Sequence, residues 1–198
     1  MKQLEIYWDV GSPYSYLALV QLENSWKEIG DFVVSKPFLV GGVFKATGNV
    51  MPASVPAKAL YMLQDLRRWR EYLGVPLCLP TEGTPFPINT LLPMRCALAA
   101  QTLGKGREFY LALFRAYWGE GLDISQIDVL SEVVANLGLD VETFLEQSTS
   151  PENKERLRVN GEEAVERKVF GAPAFFVDGE HFWGNDRLDF ALRAMKSK

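Results

Sequence analysis

Hydrophobic and polar positions change their period five times along the chain. At the start, Leu4, Ile6 and Trp8 alternate with Glu5 and Tyr7, the period-two pattern of a strand. Leu17, Leu19, Val20 and Leu22 then open a helical apolar face that the spacing carries to about Ile29. Between the two lies Asp9-Val10-Gly11-Ser12-Pro13-Tyr14-Ser15, a strand-to-helix turn. Ser12 fits the N-cap, where its hydroxyl accepts from the unpaired amides of the first turn, and Pro13 fits the first helical position, where its missing N–H is not needed. Gly30-Asp31 turns the chain into a second β-rich run over residues 32–36, stopped by Pro37. Strand, helix and strand in so short a span specify a parallel βαβ unit with a right-handed crossover. Ligands on such sheets gather outside the carboxyl ends of the strands, where the Ser12 turn lies.

Residues 38–49 contain Gly41-Gly42 and Gly48-Asn49 and read as an irregular loop at the same edge, serving either as a connector or as a binding segment. Asn49 there offers donors and an acceptor to an amide-bearing ligand. From Val55 the period becomes helical: Ala59, Leu60, Leu63, Leu66, Trp69 and Leu73 trace one stripe, ended by Gly74 and Pro76. A proline-rich loop over 77–88 precedes helices over 91–103, 106–118, 125–137, 140–146 and 151–168, with stops at Gly104, Gly119 and Gly138. Tyr117 and Trp118, at one helix end, either pack that end or roof an apolar pocket. From Val169 the strand signal returns. Gly171-Ala172-Pro173 leads into Ala174-Phe175-Phe176-Val177, and Asp178-Gly179 is a two-residue hairpin turn to a strand over 180–183. Asn185 or Asp186 can cap an amphipathic terminal helix over 187–195. A cis Ala172-Pro173 bond would suit the turn opposite Ser12 and expose the Ala172 backbone beside it. His181, in the hairpin, reads as structural or solvent-facing.

The order βαβ, helices, ββα predicts an α/β fold with one four-stranded mixed sheet. Residues 1–50 and 169–198 would form the sheet domain, and residues 51–168 an all-helical insertion. A chain of 198 residues, 47% hydrophobic and 23% charged, is an ordinary soluble composition long enough to bury a substantial core. The net charge of −4 lacks the basic face that nucleic acid requires. No window reaches the apolar length of a membrane span and no leader segment is visible, so the expectation is a cytoplasmic protein bound to neither membrane nor nucleic acid. Cys78 and Cys96 fit neither a metal-binding nor a redox spacing.

The Ser12 turn admits two readings. One is a plain helix cap. The other starts from the anion-attracting N-terminus of a helix and from the spacing of Ser12 and Ser15, that of a Cys-X-X-Cys pair opening a helix after a strand. Serines cannot form a disulfide, but a hydroxyl there can hold the thiolate of a bound ligand.

Taken together, Asp9 with Ser12-Pro13-Tyr14-Ser15, Pro37-Phe38 to Gly41-Gly42, Gly48-Asn49, Tyr117-Trp118-Gly119, residues 167–173 and Trp183-Gly184-Asn185-Asp186-Arg187 resemble a known family. It is the DsbA-like branch of the thioredoxin superfamily that holds class kappa glutathione transferases and bacterial 2-hydroxychromene-2-carboxylate isomerases. The resemblance implies a thioredoxin-like fold, a homodimer and a glutathione site. By that resemblance Ser12 would hydrogen-bond the glutathione sulfur. Asn49 and Lys58 would hold the tripeptide backbone and its glycyl carboxylate. Ala172, before Pro173, would pair with the cysteinyl amide, and Asn185 and Asp186 would take the γ-glutamyl end. For an isomerase, glutathione adds reversibly as a thiolate to a small aromatic hydroxy acid and is not consumed. The substrate carboxylate needs a cation, for which Lys45 and Arg67 are the candidates, with Trp118 a candidate aromatic wall. A kappa-like transferase that consumes glutathione, and a non-catalytic glutathione-binding protein, are the alternatives.

Overall fold

A computed structural model describes residues 1–197. Strands β1 (Leu4–Trp8), β2 (Val33–Pro37), β3 (Ala174–Val177) and β4 (Glu180–Trp183) form one sheet in the order β2-β1-β3-β4. The β1–β2 pair is parallel and the other two pairs are antiparallel, so the two ends of the chain meet in the middle of the sheet. The mixed α/β sheet expected from the sequence is therefore present. Asp178 and Gly179, both with positive φ, make the tight β3–β4 turn.

Among the described residues ten α-helices surround the sheet: α1 (Pro13–Glu23), α2 (Trp26–Ile29), α3 (Val40–Thr47), α4 (Pro56–Leu73), α5 (Leu91–Thr102), α6 (Gly106–Phe114), α7 (Ile127–Asn136), α8 (Val141–Ser148), α9 (Pro151–Glu166) and α10 (Leu188–Lys196). Leu4, Ile6, Trp8, Phe175 and Val177 face the larger core, shared with α1, α5, α6 and α10. Tyr7, Ala174 and Phe176 face a smaller one, closed by Phe38, Val43 of α3, Ala164 of α9, and Val169. The alternation in β1 suggests one solvated face, yet Tyr7 is wholly buried, because α3 and α9 cover that side.

Several boundaries differ from those expected, each for a tertiary reason. The first helix ends at Glu23, and α2 is a separate turn that lets Trp26 reach the Tyr110 ring and the Arg107 guanidinium. Residues 40–47, expected as loop, form α3: the amide of Val40 donates to Asp9 Oδ2 at 2.9 Å, a cap supplied from 31 positions away. In α4 the buried positions are Met62 and Leu66, whereas Leu60 of the expected stripe is 65% exposed. The helix expected over 106–118 is α-helical only to Phe114 and continues as a π-helical turn over Arg115–Gly119. Neither Asn185 nor Asp186 caps the last helix; both lie in a 3₁₀ turn before it, and its N-cap position is Arg187.

On the smaller-core side, Arg167 reaches from the end of α9 to both oxygens of Glu5 at 2.7 and 2.9 Å and stacks over Phe176 at 3.8 Å. Lys36 joins the same cluster through Glu5 and Glu163. Partial burial pushes the Glu5 and Glu163 carboxyls up, but Arg167 and Lys36 outweigh it and hold both below the usual range. A lowered folded pKa contributes stability above the unfolded value, and that stability is lost as pH falls through the folded value. The variant Arg167→Ala should lose about 1–3 kcal/mol at neutral pH, between the ranges of exposed and buried pairs. Its stability should also fall less steeply than the wild type's in the acid range. Urea unfolding as a function of pH checks both outcomes.

Candidate functional site

The β1–α1 turn is pinned at nearly every polar atom. Asp9, buried, accepts from Gly11 N with one oxygen and from Val40 N with the other, both at 2.9 Å, and its second oxygen lies 3.4 Å from the hydroxyl of Thr90, the N-cap residue of α5. The Val10 amide points at the Met94 sulfur, and the Val10 carbonyl accepts from the Trp118 indole at 2.7 Å. Gly11 passes so close to Thr90 that a Cβ would sit 3.1 Å from its methyl group. These contacts present Ser12 rigidly as the N-cap of α1. Its hydroxyl oxygen accepts from Ser15 N at 3.3 Å, and its proton is donated to the Ala172 carbonyl at 2.8 Å. The Ala172-Pro173 bond is cis.

The resulting edge gathers most of the residues singled out in the sequence. Asn49 follows the left-handed Gly48 that ends α3, donating to the Phe170 carbonyl at 2.8 Å and accepting from Val50 N. It ties the end of α3 to the loop that carries Ala172. Asn185 is 4% exposed, in a turn packed against α1, and its Nδ2 has no hydrogen-bond partner among the described residues. A buried amide donor left unpaired costs free energy unless a ligand or water takes it. Asp186 is exposed beside it and pairs with Arg187. Lys58 lies on the first turn of α4, exposed and with no ion pair among the described residues. It shares a helix face with Asp65, two turns on, which accepts from the Tyr14 hydroxyl at 3.1 Å. Burial first, then Asp65, pushes the Tyr14 phenol well above its ordinary pKa, so Tyr14 is a neutral donor.

Three candidates for the substrate end fare differently. Trp118 is wholly buried, and its indole serves the Val10 carbonyl; it packs the helix end and lines no open surface. Arg67 sits about 200° round α4 from Asp65, away from Tyr14, and its charge acts on Glu82. Lys45 is exposed on the last turn of α3, one turn before Asn49, and remains the candidate cation at this edge. The sequence reading assigned no role to Asp9, Tyr14 or Asp65. The signals for them are an acid three positions before Ser12 and the seven-residue spacing of Lys58 and Asp65.

The fold is that of a known family. The family model described as DSBA-like thioredoxin domain matches residues 3–196, and the chain belongs to that family. Within it, 2-hydroxychromene-2-carboxylate isomerase of Sphingobium xenophagum is 34% identical over 96% of this chain and 95% of its own. Glutathione S-transferase kappa 2 of Caenorhabditis elegans is 31% identical over 94% of this chain and 88% of its own. A solved structure of 2-hydroxychromene-2-carboxylate isomerase superposes with a TM-score of 0.86 at 29% identity, covering 98% of this chain and 94% of that one.

The Asp9 carboxyl is pushed up by burial, against the opposing pull of its bonds from Gly11, Val40 and Thr90. Asp9→Ala leaves two amides without their acceptor and should cost about 2–3 kcal/mol of stability. Asp9→Asn keeps one acceptor oxygen but sets its NH2 against the other amide, so it should recover only a small part of that loss. Urea unfolding of both variants checks the order.

Proposed function

We propose that this chain is a glutathione-dependent isomerase that interconverts 2-hydroxychromene-2-carboxylate and trans-o-hydroxybenzylidenepyruvate. The observation that carries this reading is Ser12, a hydroxyl at the N-terminus of α1 beside the cis Ala172-Pro173 loop, where a redox relative would hold its own thiol. The chain offers no cysteine at this edge, so the sulfur has to be borrowed: Cys78 contacts the Gly119 carbonyl, and Cys96 is buried in α5 with its pKa pushed up to about 11 by burial. The residues present fit a tripeptide thiol. Asn185 offers an unpaired amide donor and Asp186 a carboxylate to the γ-glutamyl end, Ala172 offers its backbone, and Lys58 offers a cation to the glycyl carboxylate. The relatives' names support the reaction.

Glutathione, when bound, supplies a nucleophilic thiolate that is regained at the end of the turnover. Ser12 stabilises the sulfur anion by hydrogen bonding, helped by the positive end of the α1 dipole, and this raises the thiolate fraction at neutral pH. Asp9 and Trp118 hold in place the turn that carries the Ser12 hydroxyl. Lys45 is the cation proposed for the substrate carboxylate. A kappa-like transferase is the second reading, supported by kappa relatives that match nearly the whole chain. Pairing of two copies belongs to the same proposal, supported by the apolar surface that Leu60 and Tyr61 leave exposed on α4. Among the described residues no helix is long and apolar enough to cross a membrane, and two unpaired cysteines suit the cytoplasmic setting proposed.

The purified protein should change the absorbance of the chromene acid only when glutathione is present, with free thiols constant through turnover. Loss of thiol in step with product selects the transferase, and no change in either assay removes both enzymatic readings. In Ser12→Ala the thiolate absorbance of bound glutathione should fall, and turnover should drop by about tenfold or more. The affinity for glutathione should change by less than about threefold, since most of its contacts lie elsewhere.

A further inference from the structure

Arg107 at the start of α6 pairs with Glu23 at the end of α1, and Trp118 beyond the end of α6 bonds Val10 ahead of α1, so the two helices run antiparallel. Between them an open cleft encloses about 360 Å³. Its walls are Tyr16, Leu19 and Val20 of α1, Leu111 and Phe114 of α6, and Pro76. Small-molecule sites are of that size, with mostly apolar walls and a few placed polar groups. Tyr16 contributes its ring and no donor. Its hydroxyl is spent on the Pro76 carbonyl at 2.7 Å, and its ring stacks on Phe114 with centroids 6.0 Å apart. The polar groups lie at the rim. Arg115, in the π-helical turn, donates through Nε to Glu120 Oε1 at 3.0 Å, while its two terminal nitrogens have no partner among the described residues. The Arg115 charge also reaches into the cleft: burial pushes the Tyr16 phenol up to about 12, and Arg115 pulls against that rise. The cleft is separate from the Ser12 edge, because Tyr16 lies about 200° round α1 from Tyr14, whose hydroxyl meets Asp65 there.

We propose that this cleft is a second ligand site that takes a planar aromatic carboxylate, its rings between α1 and α6 and its carboxylate on the Arg115 fork. The inference is independent of the glutathione reading. Apolar walls reward a ring system by the area it buries, and a rigid bicyclic body loses little freedom on binding. The two terminal nitrogens of a guanidinium match the two oxygens of a carboxylate. Glu120 holds the guanidinium through Nε and so leaves those two nitrogens to the ligand. A neutral aromatic gains the walls alone. A small inorganic anion gains only the rim, where an exposed cation is worth little. The cleft therefore selects for a molecule that carries both halves.

Titration of the whole, ¹⁵N-labelled chain with 2-naphthoate, and with 2-naphthamide as the neutral isostere, tests this. The amide resonances of Val20, Gly119 and Glu120 should shift saturably with 2-naphthoate, with a Kd around 1 mM, the strength expected of about thirteen non-hydrogen atoms. 2-Naphthamide should bind about three- to tenfold more weakly, the worth of a partly screened charged contact. Arg115→Gln should remove that difference. Val20→Trp fills the cleft and should abolish the shifts at Gly119 and Glu120, and a spectrum otherwise like the wild type's shows that this variant is folded. Shifts confined to the Ser12 turn overturn the proposal, as does 2-naphthoate binding that persists in folded Val20→Trp. An amide that binds the wild type as tightly as the acid overturns it too. If Val20→Trp does not fold, Arg115→Gln decides alone, since Arg115 is largely exposed: a preference for the acid that survives there removes Arg115 from the site and the proposal with it.

Discussion

The buried carboxylate of Asp9 is the contact on which the geometry of this edge depends. It is the first acidic group after the central strand, and its two oxygens serve the turn of α1, the first amide of α3 and the hydroxyl that opens α5. Three helix starts are thus registered against one side chain. Burying a carboxylate is costly unless hydrogen bonds replace its water, and backbone amides at helix starts are suited to that task. The arrangement also explains the closeness of the packing around it. A side chain at Gly11 would push the Thr90 methyl back by a few tenths of an ångström, and the Trp118 indole bonds the Val10 carbonyl.

The opposite wall of the edge is set by different forces. The Ala172-Pro173 loop leads into β3, whose place beside β1 is held by the ladder and by the aromatic packing of Tyr7 on Phe176. Arg167, just ahead of that loop, is clamped between Glu5 and the Phe176 ring, so the end of α9 cannot shift relative to the sheet. Gly171 runs so close under Trp183 that a Cβ would lie 2.6 Å from the indole nitrogen. Asn49 adds a tie from the end of α3 to Phe170. Ser12 and Ala172 therefore face each other across a gap fixed from both sides, by a carboxylate hub on one and by an ion-pair and aromatic clamp on the other.

Local chemistry made much of this legible in the sequence. Ser12-Pro13 signals its helix start by itself, Asp178-Gly179 its hairpin, and the changes of period mark the strands and most helices. What escaped was whatever depends on a partner far along the chain. The start of α3 has no local cap, because its cap is Asp9; two glycines in the segment therefore suggested a loop. Trp118 resembles a pocket wall until Val10 is known to lie against it. Arg67 and Asp65 look equally available in the sequence, and only the direction in which α4 packs, set by Met62 and Leu66, turns one toward Tyr14 and the other away. Asn185 shows as a polar residue at a turn; its burial without a partner is visible only in three dimensions.

Two hydroxyls, Ser12 and Ser15, at the spacing of a Cys-X-X-Cys pair have a physical consequence for chemistry. A protein thiol at the α1 N-terminus is made reactive by the helix amides, but it is tethered and can only exchange with another sulfur. A hydroxyl at the same place is too weak an acid to be a nucleophile itself, yet it is a donor directed at the spot where sulfur charge is stabilised. On the proposed reading, such a hydroxyl serves a reacting atom that a visiting molecule brings. Ser15, one turn further in, has a fully buried hydroxyl without a hydrogen-bond partner among the described residues. On the proposed glutathione reading, selection for a borrowed sulfur falls on the rim: on Asn185 and Asp186 at one end, Lys58 at the other, and the Ala172 backbone between them. In such a site affinity comes from the length of the peptide and reactivity from one hydroxyl, and the two can be altered separately.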